Sequence, residues 1–419
     1  MENNKTDFDI VISGGGLSGS LLALSLSKLT KANGDLLSIA IIEKVVSQQA
    51  TANDNKQQNQ ESAQTFFDDR VLALSHGSAA YLQKLGVWQT LQADACAISD
   101  IDISDRGHFG KARISAKEYG VNALGYVIDM AFIGKAQLHV LAQQKNIHWF
   151  SPDNISDIDW QGQEQKNITI TLNSGNELTT RLLLACDGGN SPCRKLANID
   201  VSHYDYQQCA LIANVAMSKA HNNKAFERFT EFGPIAMLPL KSKSGEANRC
   251  SLVWTLSPDE AKRLALLDDD TFKVELEQAF GSWLGTITKV GKRDVYPLVL
   301  LQAKQQSYHR MALVGNASHT IHPIAGQGFN LGLRDVEVLA DLIAKALVNN
   351  QDIGSFALLQ HYQRNRVQDQ TEVIQLTDAL VTLFANDLPP LVAGRNTALS
   401  AMNFFKPLKS ALVKKTMGY

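Results

Sequence analysis

A glycine-rich turn near the start of the chain restricts the fold more than any other feature of the sequence. Residues 8–13 (FDIVIS) form a short apolar run typical of a buried parallel strand, and glycines follow it directly. The turn at residues 14–19 (GGGLSG) leads into residues 17–29, which have a helical pattern of leucines. Another apolar run, residues 37–42, ends at Glu43. This order predicts a strand–helix–strand unit within a doubly wound α/β domain.

The turn at residues 14–19 fits the pattern G-x-G-x-x-G. In such a turn the glycines let the backbone approach a pyrophosphate, and the helix N-terminus offers it unpaired N–H groups. Glu43 stands where a carboxylate can accept hydrogen bonds from both hydroxyls of a ribose, and an acid there disfavours a 2′-phosphate. A tight strand–helix turn without ligand is the alternative. The flanking strand and helix, together with Glu43, favour a bound dinucleotide.

Two further glycine-bearing segments follow later in the chain. Residues 185–194 (ACDGGNSPCR) predict a strand that ends in a turn, with Asn190 or Ser191 as the cap of a new helix, and a purely structural turn is the alternative. Residues 313–332 predict a buried strand, a turn with a proline and several glycines, and a second helix. The glycines would let backbone lie against a flat group, toward which the helix directs its positive end.

Composition and charge exclude several functional classes. The formal net charge of −2 gives no basic footprint for nucleic acid. The five cysteines are scattered and lack metal-ligand spacing, which predicts reduced thiols in a cytoplasmic protein. His319 and His322 have no third ligand at suitable spacing, so we expect no metal site and a packed, hydrogen-bonded His319. We find no secretory signal and no apolar stretch of bilayer length, which leaves only peripheral contact with the inner face of the membrane.

Other segments of the chain narrow the set of protein families that the sequence resembles. Residues 67–75 (FDDRVLALS), 225–229 (AFERF), 233–239 (GPIAMLP) and 322–332 (HPIAGQGFNLG) occur with the three motifs in one chain. Together they resemble the flavoprotein monooxygenases of the aromatic-hydroxylase type, and in particular the FAD-dependent hydroxylases of ubiquinone biosynthesis. The similarity covers nearly the whole chain and is greatest to the hydroxylases of 2-octaprenyl-6-methoxyphenol.

The resemblance implies a function and its cofactors. We expect FAD as the cofactor, O2 as the co-substrate and NAD(P)H or a partner reductase as the electron donor. The substrate would be a prenylated phenol, hydroxylated on its ring, and other ubiquinone-biosynthesis proteins would be partners. A sister hydroxylase acting at another ring position, a flavin-binding scaffold of the biosynthetic complex and a nicotinamide-dependent dehydrogenase are the alternatives. Asn316 replaces the aspartate of the wider family, a change that the close subgroup shares.

The resemblance also assigns residues to the site. The segment expected to face the flavin through backbone groups contains Pro323, Gly326, Gln327 and Gly328. The residues expected to bind the cofactor are Gly14, Gly15, Gly16, Leu17, Ser18, Gly19, Glu43, Lys44, Arg70, Asp187, Gly188, Gly315, Asn316, Gly326, Gln327, Gly328, Phe329 and Asn330. The sequence identifies no acid–base residue, because the difficult chemistry belongs to the cofactor.

We expect the two main domains to be interleaved. The FAD-binding domain would comprise residues 1–95, 123–200 and 297–350, with a flexible insertion at 47–65. Short alternating segments predict that residues 96–122 and 201–296 form an antiparallel sheet as the substrate domain. Residues 351–419 would form a C-terminal helical region.

Two interpretations stay open. Apolar residues of the inserted sheet could line a tunnel for a prenyl tail or could simply be core; they are Phe226, Phe229, Phe232, Met237, Pro239 and Trp254. The stretch 388–419 contains no acidic residue and predicts a basic helix with one apolar face. Its cations are Arg395, Lys406, Lys409, Lys414 and Lys415. That helix could dock on a membrane surface, or it could pack against the α/β domain or a partner subunit.

Overall fold

The computed structural model describes residues 7–45, 70–160, 166–242, 248–321, 326–384, 389–403 and 406–418. The strands are β1 (Phe8–Ser13), β2 (Ile39–Ile42), β3 (Val71–Ser75), β4 (Cys96–Ile98), β5 (Asp100–Asp105), β6 (Lys111–Ser115), β7 (Gly125–Asp129), β8 (Ile147–Phe150), β9 (Ile155–Asp159), β10 (Ile168–Leu172), β11 (Glu177–Ala185), β12 (Val201–Met217), β13 (Lys224–Thr230), β14 (Gly233–Pro239), β15 (Arg249–Leu256), β16 (Ile287–Val290), β17 (Asp294–Ala303), β18 (Ser307–Tyr308), β19 (Met311–Leu313) and β20 (His319–Thr320).

The helices are α1 (Leu17–Leu26), α2 (His76–Leu85), α3 (Trp88–Leu91), α4 (Met130–Leu141), α5 (Pro192–Leu196), α6 (Pro258–Leu266), α7 (Asp269–Phe280), α8 (Gln327–Val348), α9 (Phe356–Phe384), α10 (Pro389–Met402) and α11 (Lys406–Met417). Short 3₁₀ turns cover Ala116–Tyr119, Ser282–Leu284 and Gly315–Ala317. The insertion predicted at residues 47–65 lies outside the described residues.

The first sheet contains the predicted strand–helix–strand unit. Its order is β18-β19-β11-β1-β2-β8, and β1 pairs in parallel with both β2 and β11. One face packs on α1, α4 and α8, where Ile10 and Ile12 are fully buried. On the other face, Val11 and Ala40 pack against residues of the antiparallel strands β9 and β10. Burial on both faces explains the continuous apolar runs of β1 and β2, and the α/β prediction is confirmed.

The second sheet is the predicted inserted sheet. Its order is β20-β17-β12-β15-β14-β13-β5-β6, with β16 beside β12. Its pairs are antiparallel except that β13 runs parallel to β5, a pairing that the sequence did not predict. One face packs on α6 and α7 around fully buried residues such as Met237, Leu252 and Phe272. The domain limits given above stay a prediction.

A third sheet, β3-β7-β4, contacts both larger sheets: its Leu74 and Ile128 belong to the core of the first, and its Val127 packs with Ala225 of the second. The predicted strand–helix pattern at residues 126–141 is present as β7 and α4, but β7 pairs with β3 and β4. On the side of the second sheet, Val71 packs with Val127, Ala225 and Leu238. The third sheet therefore joins the segment around Arg70 to the inserted sheet.

The stretch predicted as one basic helix is two helices, and both pack on the protein itself. In α10, Arg395 is buried and its Nε donates to Asp105 at 2.8 Å, while Leu399 packs against Phe229. In α11, Lys409 pairs with Glu118. Lys415 pairs with Asp369 and Glu372, and Val413 and Met417 are buried. These three cations are neutralised within the chain, which favours the packing alternative over docking on anionic lipid. Within the described ranges, the helices offer no span suited to crossing a bilayer.

Replacement of Arg395 tests this packing. The side chains of Arg395 and Asp105 are both 3% exposed, so Arg395→Met would leave a buried carboxylate without its cation. We expect the free energy of unfolding to fall by about 3 kcal/mol in urea titrations. Lys414→Met, at an exposed position of α11, is the control. Equal unfolding midpoints for the two variants would contradict the structural role given to this ion pair.

Candidate functional site

The turn between β1 and α1 has the geometry of an anion site. Gly14 has φ +94°, and a Cβ on Gly19 would lie 1.9 Å from the Gly14 carbonyl oxygen, so only glycine allows this close approach. Gly16 caps α1, and apart from its chain neighbours no atom of the described residues lies within 4 Å of the position that its Cβ would occupy. The helix N-terminus therefore faces open space, and no acidic residue stands in its first turn. The side chain of Leu17 points instead into the core of the first sheet.

Glu43 is buried beside this turn. Its Oε2 accepts a hydrogen bond from the Gly15 N–H at 2.7 Å, and its Oε1 accepts one from the Val45 N–H at 3.0 Å. Each carboxylate oxygen keeps a second lone pair, so a ribose hydroxyl can still bind there. The neighbouring Lys44 is exposed.

The second motif lies against the first. A Cβ on Gly14 would be 2.6 Å from the Cys186 carbonyl oxygen and 3.1 Å from the Asp187 Cα. Asp187 Oδ2 accepts from the Cys193 N–H, while its Oδ1 is buried and has no hydrogen-bond partner in the described part of the chain. An unsatisfied buried acceptor beside the nucleotide turn fits a ligand that carries hydroxyl groups. Gly188 follows with φ +84°. Ser191 is the helix cap, because its Oγ accepts from the Arg194 N–H.

The third motif meets the first from the other side. Gly315 has φ +60°, and a Cβ there would lie 3.0 Å from Ser18 Oγ. A Cβ on Gly332 would lie 3.2 Å from the Gly315 Cα, so these glycines let α1, α8 and the β19 turn come together. The Arg194 guanidinium donates to the carbonyls of Gly189 and Ala317, which ties the second motif to the third. All three motifs thus converge, and the Asn316 side chain is exposed beside them.

A buried carboxylate holds the third motif in place. Asp335 is fully buried; its Oδ2 accepts from the Gly315 N–H and from His319 Nε2, each at 2.9 Å. Its Oδ1 accepts from Arg366 Nε at 2.6 Å and from Gln370 Nε2 at 3.2 Å. Burial alone would raise the pKa of Asp335, but Arg366 and His319 lower it to about 2. The prediction of a packed, hydrogen-bonded His319 is confirmed. The described residues contain no cluster suited to a metal ion.

The sequence analysis missed the residues around which this network is built. Asp335 stands in the apolar pattern of α8 and Arg366 in the pattern of α9, and each is buried there. A charged residue at a core position of a helix was the available signal, because such a charge needs a buried partner.

The turn that begins α8 is the predicted flavin segment. Gly326 has φ +62°, and a Cβ there would lie 2.8 Å from the Ala73 Cβ. Asn330 Nδ2 donates to the carbonyls of Ala73 and Gly326, and its Oδ1 accepts from the Ser75 N–H. Its amide is thus engaged by backbone on both sides and positions the turn, while its predicted contact with the cofactor stays a prediction.

The other residues of this turn differ in their surroundings. Gln327 is buried and its Nε2 donates to the Thr416 carbonyl at 3.3 Å, a contact with α11. Among the residues that the structure describes, Ile321 at 3.8 Å is the nearest neighbour that a Cβ on Gly328 would meet. Phe329 packs against the core of the first sheet. Pro323 lies outside the described residues.

Comparison with known proteins decides the family. Residues 7–377 match the model of the FAD binding domain family. The chain is 32% identical to ubiquinone hydroxylase UbiL of Rhodospirillum rubrum, over 98% of this chain and 89% of that protein. It is 29% identical to the 3-demethoxyubiquinol 3-hydroxylase of Escherichia coli, over the full length of both chains. The chain belongs to the FAD-dependent hydroxylases of ubiquinone biosynthesis.

A solved structure supports the same fold for this hydroxylase. p-Nitrophenol 4-monooxygenase PnpA from Pseudomonas putida matches it with a TM-score of 0.75 and 18% identity, over 99% of each chain. The family match and the relatives identify the hydroxylase as an FAD-dependent monooxygenase, as the sequence predicted. Three features of its own structure fit FAD: the open space before α1, the buried Glu43 and the unsatisfied Asp187 Oδ1.

The residues suggested to line a tunnel divide between the two faces of the second sheet. Phe226, Met237 and Trp254 belong to the core under α6 and α7, so for these the core interpretation is correct. Phe229 lies on the opposite face but packs on Leu399 of the hydroxylase's own α10. Phe232 is exposed, and Pro239 is buried.

Asp335→Asn tests the buried network. The substitution removes the charge that Arg366 and His319 face, and we expect the free energy of unfolding at pH 7 to fall by about 3 kcal/mol. A carboxylate with a lowered folded-state pKa stabilises the protein above its unfolded pKa of about 3.9 and loses that contribution as pH falls toward 2. The difference between variant and wild type should therefore shrink below about pH 4. Urea unfolding across this range measures it, with the exposed Asp341→Asn on the same helix as control. A pH-independent difference would contradict the assignment.

Gly326→Ala and Gly328→Ala form a matched pair. At Gly326, positive φ and the contact with Ala73 oppose any side chain, so we expect a lower thermal midpoint and loss of bound flavin. At Gly328 the added methyl group has room, so the fold should persist. If the flavin ring lies against this turn, Gly328→Ala lowers FAD affinity without lowering the stability of the apoprotein. Flavin absorbance and thermal unfolding measure the two effects, and normal FAD affinity in both variants would contradict the assignment.

Proposed function

We propose that this protein hydroxylates the aromatic ring of a polyprenyl phenol, with 2-octaprenyl-6-methoxyphenol as the substrate and the corresponding 1,4-benzoquinol as the product. The observation that supports the proposal is the close approach of Ser18 and Gly315, which would let the nucleotide turn and the third motif serve one cofactor. The curated relatives named for ubiquinone hydroxylation support the class of substrate.

The cofactor would be held by groups at defined positions. The N-terminus of α1 at Gly16 would bind the pyrophosphate, and Glu43 would accept hydrogen bonds from the ribose. The N-terminus of α8, at Gly326 to Gly328, would stabilise negative charge on the pyrimidine edge of the flavin. When bound, reduced FAD activates O2 and supplies one oxygen atom to the ring. The second sheet would exclude water from the reacting groups.

Arg70 is assigned to the rim of this site. Its guanidinium lies over the Tyr296 ring, 5.4 Å from the ring centroid, and so beside the second sheet. An exposed cation at the start of β3 could also contact the cofactor as the resemblance implies. NAD(P)H or a partner reductase would deliver the electrons.

A second candidate is hydroxylation at another ring position. The Escherichia coli relative that covers the full length of both chains is named for position 3 of a demethoxyubiquinol. The two candidates share the cofactor site and differ in how the substrate ring is oriented, so a product analysis separates them.

The test is a product assay with a matched binding-site variant. The protein is incubated with FAD, NAD(P)H and ¹⁸O₂, and separately with 2-octaprenyl-6-methoxyphenol and with a demethoxyubiquinol, and products are identified by mass spectrometry. We expect one ¹⁸O atom in the ring of the first substrate. Gly16→Val should fold, because its side chain enters open space, yet lose bound flavin and activity. Labelled product from the second substrate alone would replace the first candidate by the second, and no labelled product from either would refute the proposed function.

A further inference from the structure

One face of the second sheet carries a row of apolar side chains that a single glutamate interrupts. Adjacent strands place Ile103, Glu227, Ala236, Val253 and Ile212 directly opposite one another. All five are partly buried. The strand neighbours of Ala236, Val253 and Ile212, and Phe226 beside Glu227, point to the other face and are buried in the core under α6 and α7. The row therefore forms an apolar strip outside that core, and its Ile103 end packs against the cluster formed by Phe229 with Leu399 of α10.

The strip continues to Asp294 on β17, which is paired with Lys292 at 2.7 Å. Two residues further along the same strand, Tyr296 points to the same face and lies under the Arg70 guanidinium. On β13 and β14, Ala225 and Leu238 lie two residues from Glu227 and Ala236 and pack with Val71. The segment at Arg70 and Val71 thus lies over this face of the sheet.

This segment connects the strip to the flavin turn. Val71 and Ala73 are alternate residues of β3, and Ala73 is the residue that a Cβ on Gly326 would touch at 2.8 Å. The strip therefore lies on the side of the second sheet that faces the turn assigned to the flavin ring. An apolar strip of this kind fits an aromatic ring with a prenyl chain.

The Glu227 carboxyl has no hydrogen bond or ion pair with any residue that the structure describes. The charged groups beside it have other partners: Asp105 pairs with Arg395, and Lys224 pairs with Asp102. Arg228 belongs to the opposite face, as its register with Ile235 requires. Burial raises the pKa of Glu227 to about 7. An unpaired carboxyl in such a place destabilises the fold, and a ligand that it contacts would explain its presence.

We propose that Glu227 is a catalytic residue, the base that takes the proton of the substrate's phenol hydroxyl while the apolar strip holds the ring and its prenyl chain. The inference rests on the proposed function and adds a residue to it. The O–H bond breaks, the proton goes to a Glu227 carboxylate oxygen, and the electron pair stays on the phenolate oxygen. The ortho and para carbons then become electron-rich, which favours attack by one of them on the oxygen atom supplied by reduced FAD and O2.

The remaining protons and electrons balance as follows. The attacked carbon loses its hydrogen as a proton to solvent, which restores aromaticity, and Glu227 returns its proton to the phenolate oxygen. The second oxygen atom of O2 leaves as water, and NAD(P)H supplies the two electrons. Glu227 ends the cycle as a carboxylate.

The experiment compares Glu227→Gln with the wild type and with Glu231→Gln, an exposed glutamate just beyond the same strand. Product formation from the prenyl phenol is followed from pH 5.5 to 9, together with flavin absorbance. A base must be ionised, so the wild-type kcat should rise with pH through about 7. We expect Glu227→Gln to keep its flavin, to lose about 10²- to 10⁴-fold in kcat and to lack this pH limb. Glu231→Gln should behave as wild type.

Two further measurements separate catalysis from folding. Glu227→Asp should retain the pH limb with a reduced kcat, because the carboxylate is present but displaced by one methylene. A fluorinated prenyl phenol that is already ionised at neutral pH should restore kcat in Glu227→Gln. Wild-type kcat and pH limb in Glu227→Gln, or no rescue by the ionised phenol, would overturn the inference. If the wild type gives no hydroxylated phenol at all, the proposed function fails instead.

Discussion

The buried carboxylate of Asp335 is the interaction on which the cofactor-binding half depends. It fixes the N–H of Gly315, and through that residue the turn that lies against Ser18. It also binds Arg366, so that α9 is anchored to the same point. A charge removed from water at this depth is stable only when every oxygen is satisfied. The Asp335 carboxylate therefore holds the Gly315 turn and α9 at one point.

Each of the three sheets contributes a different part of the site. The first presents the N-termini of α1 and α8, and the second presents an apolar face with one carboxyl. The third sheet sets the distance between the α8 turn and the second sheet, because β3 contacts Gly326 through Ala73 and the second sheet through Val71. Asn330 fixes this distance, since its side-chain amide forms hydrogen bonds with the backbone of β3 and with the Gly326 carbonyl of the α8 turn.

The sequence predicted what depends on local pattern. The glycines at residues 14–19, the apolar runs that flank them and Glu43 identify the nucleotide unit because turn, helix start and strand end are short-range features. The sequence did not predict which residues or strands far apart in the chain would pair. Examples are the ion pair of Asp335 with Arg366 and the pairing of β13 with β5. The sequence left open whether apolar residues of the inserted sheet line a tunnel or form core, because that choice needs the register, and in a strand a shift of one residue moves a side chain to the opposite face. The register places Met237 and Trp254 in the core, and the sequence analysis did not single out Glu227.

The packing of Gly315 and Gly332 against Ser18 has a consequence for how the protein acquires its fold. The nucleotide turn is synthesised before its packing partners, which follow roughly 300 residues later. Until Glu177–Ala185 has been synthesised, β1 also lacks β11, its parallel neighbour, and exposes an apolar edge. Such a topology has high contact order, so we expect slow folding and a need for protection of the nascent chain from aggregation.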